Sequence, residues 1–298
     1  MGELSDILQA LEPSLGHLGG EPAPLEGGIT NRNFRVTLGD EEYVVRLHGK
    51  DTDLLGISRL AERIANEAAA ALGLAPEVVA GFDGGLVTRF VSCEPLRGPE
   101  ILERAGEIAL ALRSFHRSQA PLPVEFQVPE LLRVYAGIVV SRGASLPEPY
   151  EQAMEIAALI VAALPEQAPR PCHNDLLAGN LIRSKDDGRT MIVDWEYAGM
   201  GRASFDLGNL SVNNGFDEAA EQMLLRAYHG TDPSPAQLAE LKLMRVLSDV
   251  REGAWGVMQG QVSDLDFDFD GYAELHFERM RSAAESANFG EWLVAAGS

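Results

Sequence analysis

The sequence predicts a two-lobed α+β fold in which a small antiparallel sheet carrying one helix precedes a larger, mainly helical lobe. Three features of the 298 residues predict it. Strand-like alternation is confined to residues 1–91, helical periodicity takes over from about residue 100, and Ser92 to Pro99 between them holds two prolines and a glycine. The expected boundaries are therefore 1–91 for the first lobe, 92–99 for a hinge and 100–298 for the second lobe, with a site in the cleft between lobes.

In the first lobe an opening helix is followed by Phe34–Leu38 and Tyr43–Leu47, two alternating runs that flank Gly39-Asp40 as an antiparallel hairpin should. Ser58 to Leu72 is dense in Ala, Leu, Glu and Arg, stops at Gly73 and gives way to Pro76, which predicts a helix. Val78–Ala80 and Leu86–Val91, separated by Gly81 to Gly85, read as a second hairpin. Beyond the hinge, helical patterns cover Glu100–Arg117, Pro147–Leu164, Asp217–Tyr228, Pro235–Met258 and Tyr272–Ser286. One short strand pair interrupts them, near Leu181-Ile182 and Met191–Val193.

Composition narrows the function. With 24 basic against 45 acidic residues the net charge is -21, which repels phosphate backbones and anionic membranes and draws small cations. Nucleic acid is thus excluded as a partner, and a small cationic molecule suits the surface. Cys93 and Cys172 form no CxxC and no disulfide framework. The first basic residue is Arg32, and the longest apolar run, Ile156 to Leu164, is too short for a membrane span. A cytoplasmic protein is expected.

The chemistry lies between residues 173 and 196. The run His173-Asn174-Asp175, then Asn180, feeds one strand, and Asp194-Trp195-Glu196 ends the strand paired with it. Asp175, Asn180 and Asp194 can therefore converge at one edge. Phosphoryl transfer needs such a set: a carboxylate to take the proton of an attacking hydroxyl, and a carboxylate with an amide oxygen to hold Mg²⁺ on nucleotide phosphates. Asp175 takes the first role and Asn180 with Asp194 the second. Taken singly, each of these residues also fits ordinary turn chemistry.

This run resembles the choline/ethanolamine kinase group of the aminoglycoside-phosphotransferase-like, protein-kinase-like superfamily, and the likeness spans most of the chain. His173 to Asn180 resembles the family's catalytic loop, Asp194 to Ala198 its metal strand, and Phe205 to Asn209 the motif that follows. The resemblance implies a protein-kinase-like fold, ATP with Mg²⁺, a catalytic loop carrying His173 and Asp175, and metal ligands Asn180, Asp194 and Glu196. Asp206 would then brace the catalytic loop, although its position equally suits a helix N-cap. Gly28, Thr30 and Asn31 resemble the nucleotide-covering turn, or else form a plain hairpin turn. Arg46 resembles the strand cation and Glu62 its helix partner, the other reading being a surface ion pair. Adenine is expected near Arg89, Phe90 and Val91.

The C-terminal part resembles the family's aromatic box for a cationic acceptor, with Trp255 and Tyr272 in place and Glu252 where a second tryptophan is usual. An acid there can accept N–H bonds that trimethylammonium does not offer, which favours amines carrying N–H groups. The implied reaction is transfer of the γ-phosphoryl group of ATP to the hydroxyl of a small amino alcohol such as choline or ethanolamine. An aminoglycoside, a sugar or another metabolite is the alternative acceptor, and a non-catalytic binding module the alternative class. Asp266-x-Asp268-x-Asp270-Gly271 imitates the start of a calcium loop, but its twelfth position is Phe277.

Overall fold

The computed structural model describes residues 2–25, 31–49, 56–82 and 84–298. The first lobe contains α1 (Gly2–Leu15), β1 (Ala23–Leu25), β2 (Arg32–Leu38), β3 (Glu41–Leu47), α2 (Arg59–Ala71), β4 (Val78–Phe82) and β5 (Gly85–Arg89). Its five strands form an antiparallel sheet in the order β1-β2-β3-β5-β4. The β2–β3 register pairs Leu38 with Glu41, which leaves Gly39-Asp40 as a two-residue turn. Gly39 has φ 61, the positive value that the first central position of a type II′ turn requires.

Strand periodicity places the first functional side chain. Tyr43, Val45 and Leu47 share one face of β3 and pack with Val36, Leu38 and Val87 under Leu8 and Leu11 of α1. Arg46 therefore emerges on the opposite face, toward α2. That helix starts where expected, with Ser58 Oγ accepting the Ala61 N–H at 3.2 Å, and it stops before Gly73 at φ 72. Its buried face is Ala61, Glu62, Ala65, Asn66 and Ala69, so Glu62 enters the interior among small neighbours.

The hinge is not the free linker that its prolines suggest. Cys93–Pro95 forms β6 and pairs with β8 (Leu181–Ser184), which pairs in turn with β9 (Thr190–Ile192). The crossing chain satisfies the backbone groups on the open edge of β8, and this ties the hinge to the second lobe. The remaining strands, β7 (Arg170–Cys172) and β10 (Gly199–Gly201), pair with each other.

The second lobe consists of α3 (Gly98–Glu103), α4 (Ala105–His116), α5 (Val128–Ser141), α6 (Glu148–Ala163), α7 (Ala203–Asn213), α8 (Glu218–His229), α9 (Pro235–Val262), α10 (Phe269–Ala284) and α11 (Ala287–Ala296). The single helix expected over 100–117 is two, interrupted at Arg104, and α5, α7 and α11 are additions to the sequence reading. The central helix, α9, packs against α5, α6, α7, α10 and α11, so it is buried nearly all round. Along with Leu243, Met244, Leu247 and Val250 it buries Asp249, Arg251 and Glu252. Both cysteines are free thiols, and no helix among the described residues is long and apolar enough to cross a membrane.

Candidate active site

The loop from His173 to Asn180 leaves β7 and enters β8 through a short turn of 3-10 helix, and α7 holds it from behind. Asp206 accepts the backbone N–H of His173 at 2.8 Å and of Asn174 at 2.7 Å, and also meets His116 Nε2 at 2.9 Å. It lies inside α7, whose N-cap is Arg202, so it braces the loop and does not cap the helix. Burial would raise its carboxyl, but the bonds and charges of His116 and His173 hold it below the usual range. Gly208 explains the close approach, because a Cβ there would lie 2.4 Å from Met244 Cβ on α9. Asn209 is thereby placed to take the Leu176 N–H at 2.5 Å and to bond Ser248 at 2.9 Å.

His173 is fully buried. Its Nε2 donates to the Val193 carbonyl at 3.0 Å while Nδ1 accepts the Asp175 N–H at 3.2 Å, a pattern that fits the neutral ring. Burial indeed lowers its pKa. Both side chains are fully buried: His173 holds the Asp175 backbone N–H, and Asp206 holds those of His173 and Asn174 just before it.

Asp175 is buried, with 8% of its surface exposed. Burial pushes its carboxyl above the usual range, the Arg251 charge opposes the rise, and Glu252, Asp194 and Glu196 add to it. Asn180 Nδ2 donates to the Asp175 carbonyl at 2.7 Å and to its carboxylate at 3.2 Å. The amide oxygen of Asn180 is left without a partner among the described residues, as a metal ligand needs. Val193 N–H bonds the Asn180 carbonyl at 2.9 Å, which brings Asp194 to the same edge. Asp194 has φ 65, a costly value for a non-glycine residue that aims its carboxylate into the cleft.

From the first lobe, Arg46 Nη1 reaches Asp194 at 2.6 Å and Glu62 at 3.2 Å, and Arg46 Nε donates to Asn33 at 3.3 Å. Glu62 also meets Arg59 at 2.7 Å and His48 at 3.3 Å. With 1% of its side chain exposed it is no surface partner. Burial would raise its carboxyl, yet His48, Arg46 and Arg59 together hold it down to about 2. Glu196 turns toward the first lobe, where it accepts from Asn31 Nδ2 at 2.8 Å and faces Arg59 at 3.5 Å. Gly28 and Thr30 lie outside the described residues.

The segment expected to meet adenine divides. The Arg89 side chain is held outward by Glu77 at 2.9 Å and by Glu41. Phe90 N–H bonds the Glu42 carbonyl at 2.9 Å and its ring carries the Arg35 guanidinium at 4.1 Å. Only Val91 keeps an N–H without a partner among the described residues.

On the far side of Asp175, α9 and α10 bring Glu252, Trp255 and Tyr272 together. Trp255 and Tyr272 stand edge to face at 5.7 Å, with Phe269 beside Trp255 and Phe267 beside Tyr272. Glu252 is not an open wall of this box: it is 1% exposed, and its oxygens meet Arg251 Nη1 at 2.7 Å and the Tyr272 hydroxyl at 2.9 Å. Arg251 is a residue that motif reading missed. It also donates to Asp175 at 3.2 Å, and its guanidinium lies 4.3 Å from the Tyr197 ring centroid. The available signal was a run of polar residues, Ser248, Asp249, Arg251 and Glu252, at near-successive positions round the helix, more than one solvent face accounts for. The calcium-like run has an ordinary use, since Asp268 caps α10 by accepting the Gly271 N–H at 2.9 Å.

A family model described as a phosphotransferase enzyme family matches residues 21–241. Ethanolamine kinase 2 of Mus musculus is 28% identical, over 85% of this chain and 73% of its own length. A choline/ethanolamine kinase family protein from Mesorhizobium loti superposes with a TM-score of 0.82 at 28% identity, covering 99% of both chains. The choline kinase LicA from Streptococcus pneumoniae does so with a TM-score of 0.77 at 25% identity, over 95% of this chain and 99% of its own. LicA is also solved in complex with AMP.

Proposed function

We propose, because this chain belongs to the phosphotransferase enzyme family, that it transfers the γ-phosphoryl group of ATP to the hydroxyl of a small amino alcohol such as choline or ethanolamine. The observation that carries the acceptor class is the charge around the pocket. Asp175 and Glu252 are two carboxylates facing one guanidinium, Arg251, beside the aromatic faces of Trp255 and Tyr272. Burial and the neighbouring carboxylates disfavour the ionised form of Asp175, and an ammonium held against the aromatic faces supplies the positive charge that restores it.

In this reading Asp175 accepts the proton of the attacking hydroxyl as its oxygen bonds the γ-phosphorus and the bond from that phosphorus to the bridging oxygen of ADP breaks. Arg46, positioned by Glu62, carries the α- and β-phosphates, and the Val91 amide meets the adenine. Asn180 and Asp194 are the donors suited to Mg²⁺, with Glu196 two residues along the chain from Asp194. Bound there, the metal would supply positive charge against the negative charge that develops in the transition state.

The test is ADP release with Mg-ATP across choline, ethanolamine, aminoglycosides and sugars. Turnover with the small amino alcohols is expected. Turnover confined to sugars or aminoglycosides would overturn the acceptor, and no turnover with any acceptor would favour the binding-module class.

A further inference from the structure

Arg251 has the wrong geometry for a part whose task is stability. It is among the largest fully buried side chains, yet a single nitrogen, Nη1, makes both of its ion pairs, while Nε and Nη2 have no partner among the described residues. A stabilising arginine uses its fork on one carboxylate, and an apolar residue of similar volume serves a core at least as well. What the single nitrogen does achieve is connection. It joins Asp175 Oδ1 in the catalytic loop to Glu252 Oε1 on α9, and Glu252 holds the Tyr272 hydroxyl. Its flat face rests on Tyr197, whose hydroxyl accepts from Trp255 Nε1 at 2.7 Å. Both aromatic walls of the acceptor pocket are thus tied to the base through one guanidinium.

Resting on the acceptor reading above, we propose that Arg251 is a positioning residue that fixes the span between the base at Asp175 and the ammonium-binding face at Tyr272 and Trp255. It thereby selects acceptors by the distance between their hydroxyl and their nitrogen. A reacting group displaced by about 1 Å loses up to about a hundredfold in rate, so a fixed span discriminates without touching substrate.

The experiment measures kcat and KM for amino alcohols with two, three and four carbons between nitrogen and oxygen, in wild type, Arg251→Met and Arg251→Lys, with thermal melts to verify folding. Wild type should show a sharp optimum. Arg251→Met should lower kcat at that optimum by about thirtyfold, flatten the dependence on length, and leave KM for ATP within about threefold. Arg251→Lys, whose single nitrogen can still reach both carboxylates, should recover at least about threefold of kcat and part of the optimum; if the methionine variant does not fold, the lysine variant against wild type carries the comparison through a broadened optimum. A folded variant that keeps the wild-type length profile, whether at full rate or with every acceptor slowed equally, overturns the proposal. A wild type that ignores all amino alcohols overturns the acceptor reading and this proposal together, whereas an active wild type with indifferent variants overturns this proposal alone.

Discussion

At the proposed phosphate end of the site, Arg46 and Asp194 meet across the lobes with 17% and 19% of their side chains exposed. At the acceptor end, Arg251 and Glu252 meet on one helix with 1% and 2% exposed. Both are arginine–carboxylate pairs at nearly the same distance, 2.6 and 2.7 Å. The first is partly exposed, so in the proposed reading its charges exchange one another for phosphate and metal. The second is closed, so it acts through the geometry that it imposes. Losing a charge should therefore appear as weakened nucleotide binding at one end and as misplaced acceptor at the other.

Asp175 belongs to both ends, and its loss should be the largest effect. Asp175→Asn removes the proton acceptor while keeping shape, so kcat should fall about a thousandfold with ATP affinity nearly unchanged, measured by steady-state kinetics and by nucleotide titration. Retained turnover with any acceptor would move the base elsewhere. Asp194→Ala should lower kcat by about a hundredfold and weaken Mg-ATP binding as well, since Asp194 is proposed to hold the metal. If it instead raised only the acceptor KM, the contrast between the two ends would break.

Arg46→Ala comes next, with KM for ATP raised about tenfold and a lower kcat, because the lost contact is with phosphate. Glu62→Gln should do the same at about threefold, since Glu62 contacts Arg46, Arg59 and His48 and reaches the proposed phosphate site only through Arg46. A kinetically silent Glu62→Gln would reduce that cluster to a support for α2.

These two ends also differ in how far the sequence discloses them. The phosphate end is built where the chain crosses the site in short runs, and spacing carries the meaning: Asp175 to Asn180 spans one loop, Asp194 ends a strand, and Arg46 alternates with Val45 and Leu47. The motif Phe205 to Asn209 is legible for the same reason, although only packing separates Asp206 as a brace from Asp206 as a cap. The acceptor end depends on which face of a fully buried helix meets which neighbour. Periodicity says little there, because α9 is buried nearly all round, so the sequence leaves Arg251 unmarked and presents Glu252 as an acceptor of substrate N–H bonds. The hinge shows the same limit. Its prolines announce a break in the first sheet, but the open edge of β8 that captures Cys93–Pro95 is set by tertiary structure.

The smallest expected effect separates those two readings of Glu252. From sequence, an acid in the aromatic box accepts N–H bonds from the acceptor, so neutralising it should penalise ethanolamine and spare choline. In the structure both carboxylate oxygens are engaged by Arg251 and Tyr272 and the residue is sealed, so only its charge reaches the pocket. That charge attracts every ammonium alike. Glu252→Gln can keep both hydrogen bonds, with its amide oxygen accepting from Arg251 and its amide nitrogen donating to the Tyr272 hydroxyl. It should raise KM for choline and ethanolamine together, by about twofold, and leave the ratio of their kcat/KM unchanged. Measuring the two acceptors side by side in wild type and variant decides it, because losses of stability cancel in the ratio. A selective loss of ethanolamine would mean that Glu252 leaves Tyr272 when substrate arrives, and that the acceptor end opens as the phosphate end does.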